Sequence, residues 1–356
     1  MKKAGNNLPS KVSFLLLNWN GLSFTRKCLR SLLKTSYPNF EIVVVDNGSE
    51  NDEATTLEKE FANKIKVVRN KINVGYAAGM NVAIKNSTGE YLMILNNDME
   101  FEKNWLQPLV TMLQSNKMIA ACQPKIKDLK AKGNFEYAAA AGGYIDILGY
   151  TFARGRIFSA VEKDTGQYDQ PVRVSWAGVI LVKRSVLKRT GLFDPLYFTY
   201  AEDVDLCYRI SGQGYQIIYV PDSVVYHYGG GVMGKDMPRK MFFIHRNHLI
   251  LILKNWELQT LLLLLIPRVM LDGISFIYYF VTGYRDISYA VVRSYLSLFT
   301  MIPAIIKSRK NAQKIIKKGN RSLIPLYKGS IVWEYFICRK KIFTEIMSSD
   351  DYEVNV

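Results

Sequence analysis

The sequence predicts an α/β fold built on a mainly parallel sheet, and three observations lead there. Up to about residue 97, short aliphatic runs alternate with amphipathic stretches of helical length, the pattern of successive βαβ units. The runs close on Asn, Asp, Gly and Ser, residues that end strands in turns through their own side-chain hydrogen bonds or a tolerated positive φ. Polar side chains therefore recur at strand ends, where open α/β sheets gather ligands.

Taken in order, Val12–Leu17 is a compact apolar run ending in "NWNG", and "SFTRKCLRSLLKTS" sets Cys28, Leu29, Leu32 and Leu33 on one helical face. "FEIVVVDNGSEND" is a β-branched strand with a turn, "ATTLEKEFAN" a helix, "IKVVRN" a strand, "GYAAGMNVAIKNS" a helix and "EYLMILNND" a strand. From Met99 to Asp194 the periodicity weakens, and "GNFEYAAAAGGYIDILGYTFARGRIFSA" reads as irregular loops and short strands. "VSWAGVILVKRSVLKRTGLFDP" restores a strand, a basic helix and a turn; "YFTYAEDVDLCYRI" follows with three carboxylates in four positions; "YQIIYVPDSVVYHYGGG" reads as an extended segment ending at His227.

The chain has 356 residues, 47 Lys and Arg against 31 Asp and Glu, and a formal charge of +16. Such a surplus favours anionic partners, whether nucleic acid, sugar nucleotide or membrane surface. Cys28, Cys122, Cys207 and Cys338 form no C-x-x-C pair, so neither a zinc site nor a disulfide framework is expected and a reducing compartment fits. The apolar run near the N-terminus is too short and too late for a signal-peptide core, which places this part in the cytoplasm.

Beyond about Asn247 the character changes. "LQTLLLLLIPRVMLDGISFIYYFVTG" and "ISYAVVRSYLSLFTMIPAII" are each near the ~20 residues that cross a bilayer. Pro267, Arg268 and Asp272 interrupt the first and Arg293 the second, and an ionisable group at mid-bilayer costs about 3 kcal/mol. The basic "KSRKNAQKIIKKGNR" and "CRKK" follow. Apolar helices beside a polybasic segment suit an interfacial membrane anchor; a hairpin through the membrane and a packed helical subdomain are the other readings.

Three acidic sites lie on different elements: Asp46, Asp98 and the Glu202–Asp203–Asp205 cluster. Each alone has a local explanation, as a turn or as acids offsetting a helix dipole. In their order along the chain, "LLLNWNG", "VVVDNGSEND", "NVGYAAGMNVAI", "GEYLMILNNDM", "GLFDPLYFTYAEDVDLCYRI" and "VYHYGGG" resemble the family 2 glycosyltransferases of the GT-A fold, in particular bacterial rhamnosyltransferase-like members. The resemblance covers about residues 11–255.

It implies a Rossmann-like GT-A domain over residues 1–246, with a nucleotide-binding half at about 11–100 and an acceptor half at about 101–246, then a helical membrane-associating region at 247–356. It implies a nucleotide-sugar donor, dTDP-rhamnose or a UDP-sugar, and a divalent metal, Mg²⁺ or Mn²⁺, which neutralises charge on the leaving diphosphate. Asp98 would be the metal ligand, with Asn96 and Asn97 supporting it and His227 completing the shell. "NND" departs from the usual Asp-x-Asp, leaving one carboxylate where relatives carry two. Asp46 would bind the pyrimidine ring; Asn18 and Asn20 would line the base or ribose pocket; Asn73, Gly75 and Asn81 would approach the nucleotide. Arg246 would steady the diphosphate or face lipid headgroups. Asp203 would be the general base and Glu202 would orient the acceptor or hold local backbone, while Asp205 and Arg209, four apart, suit a structural pair.

A single base implies inversion, and the missing Gln-x-x-Arg-Trp implies transfer of one sugar rather than processive synthesis. The acceptor would be a glycan or polyprenyl-lipid-linked glycan at the cytoplasmic face of a membrane. The rival readings are an inactive nucleotide-sugar-binding homologue, a nucleotidyltransferase and a nucleic-acid-binding protein; the last conflicts with basic residues concentrated in the tail instead of interleaved with aromatics along a groove.

Overall fold

In the computed structural model the described residues are 9–229, 236–317, 319 and 324–348. Gly230 and Gly231 of "VYHYGGG" and residues 318 and 320–321 of the basic stretch lie outside them.

The alternating first part forms β1 (Val12–Asn18), α1 (Leu22–Leu32), β2 (Phe40–Asn47), α2 (Glu53–Glu60), β3 (Lys66–Asn70), α3 (Tyr76–Lys85) and β4 (Tyr91–Leu95). All four strands run parallel in the order β4-β1-β2-β3. Successive residues of a strand face opposite sides. Val12, Phe14 and Leu16 of β1 accordingly enter one apolar core and Leu15 the other. Phe14 is wholly buried and stacks on Trp105 at 5.8 Å; burying such a side chain contributes about 1.5–3 kcal/mol. The parallel register sets Asn18 beside Asp46 and Asn47 beside Asn70, so the polar strand ends share one edge.

The second part is more ordered than its weak periodicity predicts. It contains β5 (Met99–Phe101), α4 (Leu106–Ser115), β6 (Ile119–Asp128), β7 (Gly143–Asp146), β8 (Thr151–Ala153), β9 (Arg156–Ile157), β10 (Ala160–Val161), β11 (Val172–Arg173), β12 (Ile180–Lys183), α5 (Arg184–Thr190), α6 (Glu202–Gly212) and β13 (Gln216–His227). Strand β12 lies antiparallel between β4 and β6, and β13 runs parallel to β6 with a register shift at Val220/Val224. The main sheet is thus mixed and mostly parallel, with nine strands among the described residues. Four of the short strands, β7 to β10, build a second sheet.

The rest comprises α7 (Met237–Asn255), α8 (Leu258–Val281), α9 (Arg285–Ile315), β14 (Leu326–Tyr327) and α10 (Ile331–Phe336). The boundary expected after Arg246 falls inside α7, whose continuous hydrogen-bonded turns carry the chain on to Asn255. The tail also returns to the second sheet: β14 pairs with β7, and Phe343 packs on Tyr144 and Phe152. Helices α8 and α9 are long and apolar enough to cross a membrane, with mean hydropathy 1.9 and 1.5. The charges that interrupt α8 in the sequence turn inward. Arg268 and Asp272 are 1% exposed and bond to each other, to the Leu148 carbonyl, to His245 and to the hydroxyls of Tyr150 and Tyr295. The outer face of α8 is apolar and open, with Leu263 76%, Ile266 69% and Met270 63% exposed.

Candidate active site

Strand pairing assembles the first part of the site. Asp98 lies in the turn between β4 and β5, and the antiparallel pairing of β5 with β13 sets Met99 opposite His227. His227 Nε2 consequently stands 3.0 Å from Asp98 Oδ1 and 3.4 Å from the Asn96 amide. Its Nδ1 is 2.6 Å from Glu136 Oε2. Burial alone lowers the imidazole's pKa, but hydrogen bonds to Asp98 and Glu136 outweigh it and push it up to about 10. Burial raises Glu136, yet the His227 hydrogen bond and charge bring it down to about 2. A carboxylate on one ring nitrogen that fixes the other toward an acidic oxygen is the usual second layer of a histidine metal site. Asp98 and His227 fit a hard divalent ion that draws its remaining ligands from phosphates and water. Among the described residues no cluster of three or more His, Cys, Asp or Glu forms a self-sufficient cage.

The second part sits at the start of α6. The loop before it is strained: Phe198, Tyr200 and Ala201 have φ of 60°, 66° and 65°, a region costly to non-glycine residues and concentrated at functional sites. The Asn247 amide holds it, donating to the carbonyls of Tyr197, Thr199 and Tyr200 at 2.8, 2.6 and 2.7 Å. Gly75 permits the close approach on the other side; its φ is +85° and a Cβ there would lie 2.6 Å from the Phe198 ring. The loop delivers Glu202 and Asp203 side by side. Burial, then the Asp203 charge, pushes Glu202 well above the ordinary carboxyl range, and its Oε2 has no hydrogen-bond partner among the described residues. Burial pushes Asp203 up to about 6, opposed by the Val204 N–H, which donates to Asp203 Oδ1 at 2.8 Å. Neighbouring carboxyls whose affinities are driven apart divide into a protonated and an ionised partner.

Both parts open onto one cleft of about 1,740 Å³, lined by Asp98, Glu136, His227, Glu202 and Asp203. The Tyr76 phenol lines it as well. Residues 13–187 match the sequence family described as Glycosyl transferase family 2. Residues 13–187 form a glycosyl transferase family 2 domain. It is 30% identical over 225 residues to the O-antigen biosynthesis protein RfbC of Myxococcus xanthus, covering 61% of this chain and 17% of that one. It is 23% identical over 235 residues to the N-acetylglucosaminyl-diphospho-decaprenol L-rhamnosyltransferase of Mycobacterium tuberculosis, covering 62% and 76%. The crystal structure of GalNAc-T7 with UDP, GalNAc and Mn²⁺ superposes with a TM-score of 0.54 at 19% identity, over 71% of this chain and 49% of that one; the likeness concerns the fold. The chain spans 17% to 37% of the length of the first curated relatives it matches.

On this family 2 scaffold several expected ligand-binding residues work indirectly. Asn18 is wholly buried: its amide donates to Asp46 at 2.9 Å and to Glu53 at 2.8 Å, and its oxygen accepts from Thr25. It therefore positions Asp46 and does not line the cleft. Asp46, 5% exposed, also accepts from Ser49 Oγ at 2.6 Å. Asn20 clamps the neighbouring loop through Glu50 N. Asn81 uses its oxygen and its amide on the Phe193 backbone, and Arg246 is spent on the Tyr197 carbonyl and Asn247 while stacking on Phe242 and Phe243. Neither lines the cleft; an amide or guanidinium that suits a ligand suits a nearby backbone carbonyl equally. Asn73, Gly75, Asn96 and Asn97 do line it, with Asn73 braced by Asn47 at 2.9 Å and Asn97 by Thr25 at 2.9 Å. The sequence alone does not disclose the roles of Glu136 and Asn247: the first sits in a stretch without periodicity, and the second follows an arginine that suits phosphate equally well. Trp19, between the two asparagines of "NWNG", also faces the cleft.

Proposed function

We propose that the protein is an inverting, metal-dependent glycosyltransferase, moving a single sugar from a nucleotide-sugar donor to a glycan or lipid-linked glycan in cell-surface polysaccharide synthesis. One observation carries this: Asp98 with His227, and Glu202 with Asp203, border the same cleft around Tyr76. Asp203 takes the proton of the acceptor hydroxyl, and that oxygen attacks the anomeric carbon as the nucleoside diphosphate departs from the opposite face. Protonated Glu202 donates a hydrogen bond that orients the acceptor. Asp46, held by Asn18 and Ser49, receives the ring N–H of a uracil or thymine base, while Asn73 and the Gly75 backbone border the nucleotide. Asp98 and His227 would hold Mg²⁺ or Mn²⁺, which when bound neutralises charge on the leaving diphosphate. GalNAc-T7, solved with UDP and Mn²⁺, supports the donor and metal readings. The mycobacterial relative's name, with its diphospho-decaprenol acceptor, supports a lipid-linked acceptor and dTDP-rhamnose among the candidate donors.

The apolar outer faces of α8 and α9, with the α8 charges Arg268 and Asp272 turned inward, support a peripheral or monotopic seat on the cytoplasmic face of an anionic membrane. The test is a screen of nucleotide sugars for released nucleoside diphosphate with the purified full chain and Mn²⁺ or Mg²⁺. One donor is expected to respond to metal, and Asp98→Ala to lose that response; an unchanged response would remove Asp98 from the site.

A further inference from the structure

The cleft does not stop at the acids. Beyond Glu136 its lining also takes in the β9–β10 hairpin, α10, α7 and α8, so that it forms a groove. The two ends differ in chemistry. At the inner end stand two cations, Arg156 and Lys240. Arg156 Nη1 lies 3.9 Å from Glu136 Oε1. The half-buried Lys240 ammonium makes no hydrogen bond or ion pair among the described residues. Burial and the neighbouring Arg156 charge lower its proton affinity against the pull of Glu136. Glu136 is a single carboxylate beside these two cations and its other oxygen is held by His227, so a further anion joining the cations lowers the cost of their burial.

The outer end is apolar. Phe158 packs on Tyr335 and Phe336 with ring centroids 5.0 and 5.4 Å away, and Ser159 Oγ meets the Tyr335 hydroxyl at 2.9 Å, so the hairpin and α10 form one wall. The same groove is lined by Ile274 and Tyr278 of α8, 60% and 58% exposed; Phe336 is 50% exposed. The groove's mouth thus merges with the open face of α8. A free diphosphate would match only the inner end, and a hydrocarbon only the outer.

We propose that this groove seats a phosphate-bearing lipid, its anionic head between Arg156 and Lys240 and its chain running out past Phe158 and Phe336 toward the α8 face. This rests on the transferase reading above, and it gives a lipid-linked acceptor a route from the bilayer to Asp203. Head and chain are read by separate residues, so each can be removed alone.

The experiment is a binding titration of undecaprenyl phosphate to the intact chain in detergent micelles, beside undecaprenol, inorganic diphosphate and phosphatidylglycerol. Undecaprenyl phosphate should bind best. The double variant Arg156→Gln/Lys240→Gln, and separately Phe336→Glu, should each weaken it about tenfold or more. Nucleoside diphosphate binding with Mn²⁺ should stay within about twofold in both. Arg156→Lys/Lys240→Arg, which keeps both charges, should retain the lipid; equal loss there with an unchanged melting temperature would overturn the site. So would undecaprenol binding as tightly as its phosphate, inorganic diphosphate displacing the lipid phosphate, or phosphatidylglycerol binding equally. Parallel loss of nucleoside diphosphate in the Gln variant would assign the cations to the donor. Diphosphate release from a nucleotide sugar without lipid binding sinks only the groove. Lipid binding without release from any donor sinks the transferase reading instead.

Discussion

Asp203 and Asp205 stand two residues apart on the same first turn of α6, and their surroundings are opposite. Asp205 is wholly buried, with Arg209 Nε and Lys254 Nζ each 2.9 Å from Oδ2, and Asn255 and the Tyr197 hydroxyl on Oδ1. Burial raises it, but Lys254 and Arg209 bring it down to about 2. Asp203 has no cation against it within hydrogen-bond distance among the described residues and is raised to about 6. One face of the helix spends its acid on joining α6 to α7. The other leaves its acid basic enough to take a proton. An acid's role here follows from its partners and not from its place in an acidic run.

The largest effect should come from breaking the neutralised face. Asp205→Ala leaves Arg209 and Lys254 buried without their shared carboxylate, and removing one member of a buried pair typically costs about 3–5 kcal/mol; urea denaturation measures it, and a loss no larger than that of Asp203→Asn would erase the distinction between the two faces. Next is the support of the open face. Asn247→Ala releases the three carbonyls that hold the strained loop before Glu202, and misplacing a catalytic group by about 1 Å costs roughly 10²-fold; kcat should fall with nucleotide binding intact, whereas wild-type kcat would show that the loop holds itself.

Smaller is the pH dependence of activity: kcat/KM should decline below about pH 6 as Asp203 takes up its proton, and an acid limb near pH 4 would speak against this base. Smallest is the pH dependence of stability. Asp205, depressed in the fold, stabilises above its unfolded pKa, and that contribution is lost as pH falls toward about 2. Asp203, raised in the fold, opposes folding at neutral pH, and that penalty fades as pH falls through about 6. From pH 7 to pH 5 the wild type should therefore gain stability relative to Asp203→Asn; a parallel course would contradict the raised affinity.

The same contrast explains what the sequence discloses. β1 to β4 are legible because alternating apolar runs and amphipathic helices are local signals, and Asp205 with Arg209 is legible because i,i+4 pairing is local. The second sheet is not: β7 pairs with β14 across more than half the chain, and each of the two strands is too short to announce itself. Glu136 finds its role only through β13, which brings His227 to it, and Asn247 only through the fold of the loop it holds. Arg268 and Asp272 read as flaws in an apolar helix until their partners on three other elements are known. Asn18 and Asn81 have ligand-binding side chains whose partners turn out to be the protein itself.

The most direct measurement is sugar transfer by Asp203→Asn beside donor binding by the same variant. Transfer should drop by about 10²–10⁴-fold while the donor binds as it does to the unaltered protein. Turnover equal to the unaltered protein's would mean that the acid pair at the head of α6 does not face the reacting hydroxyl.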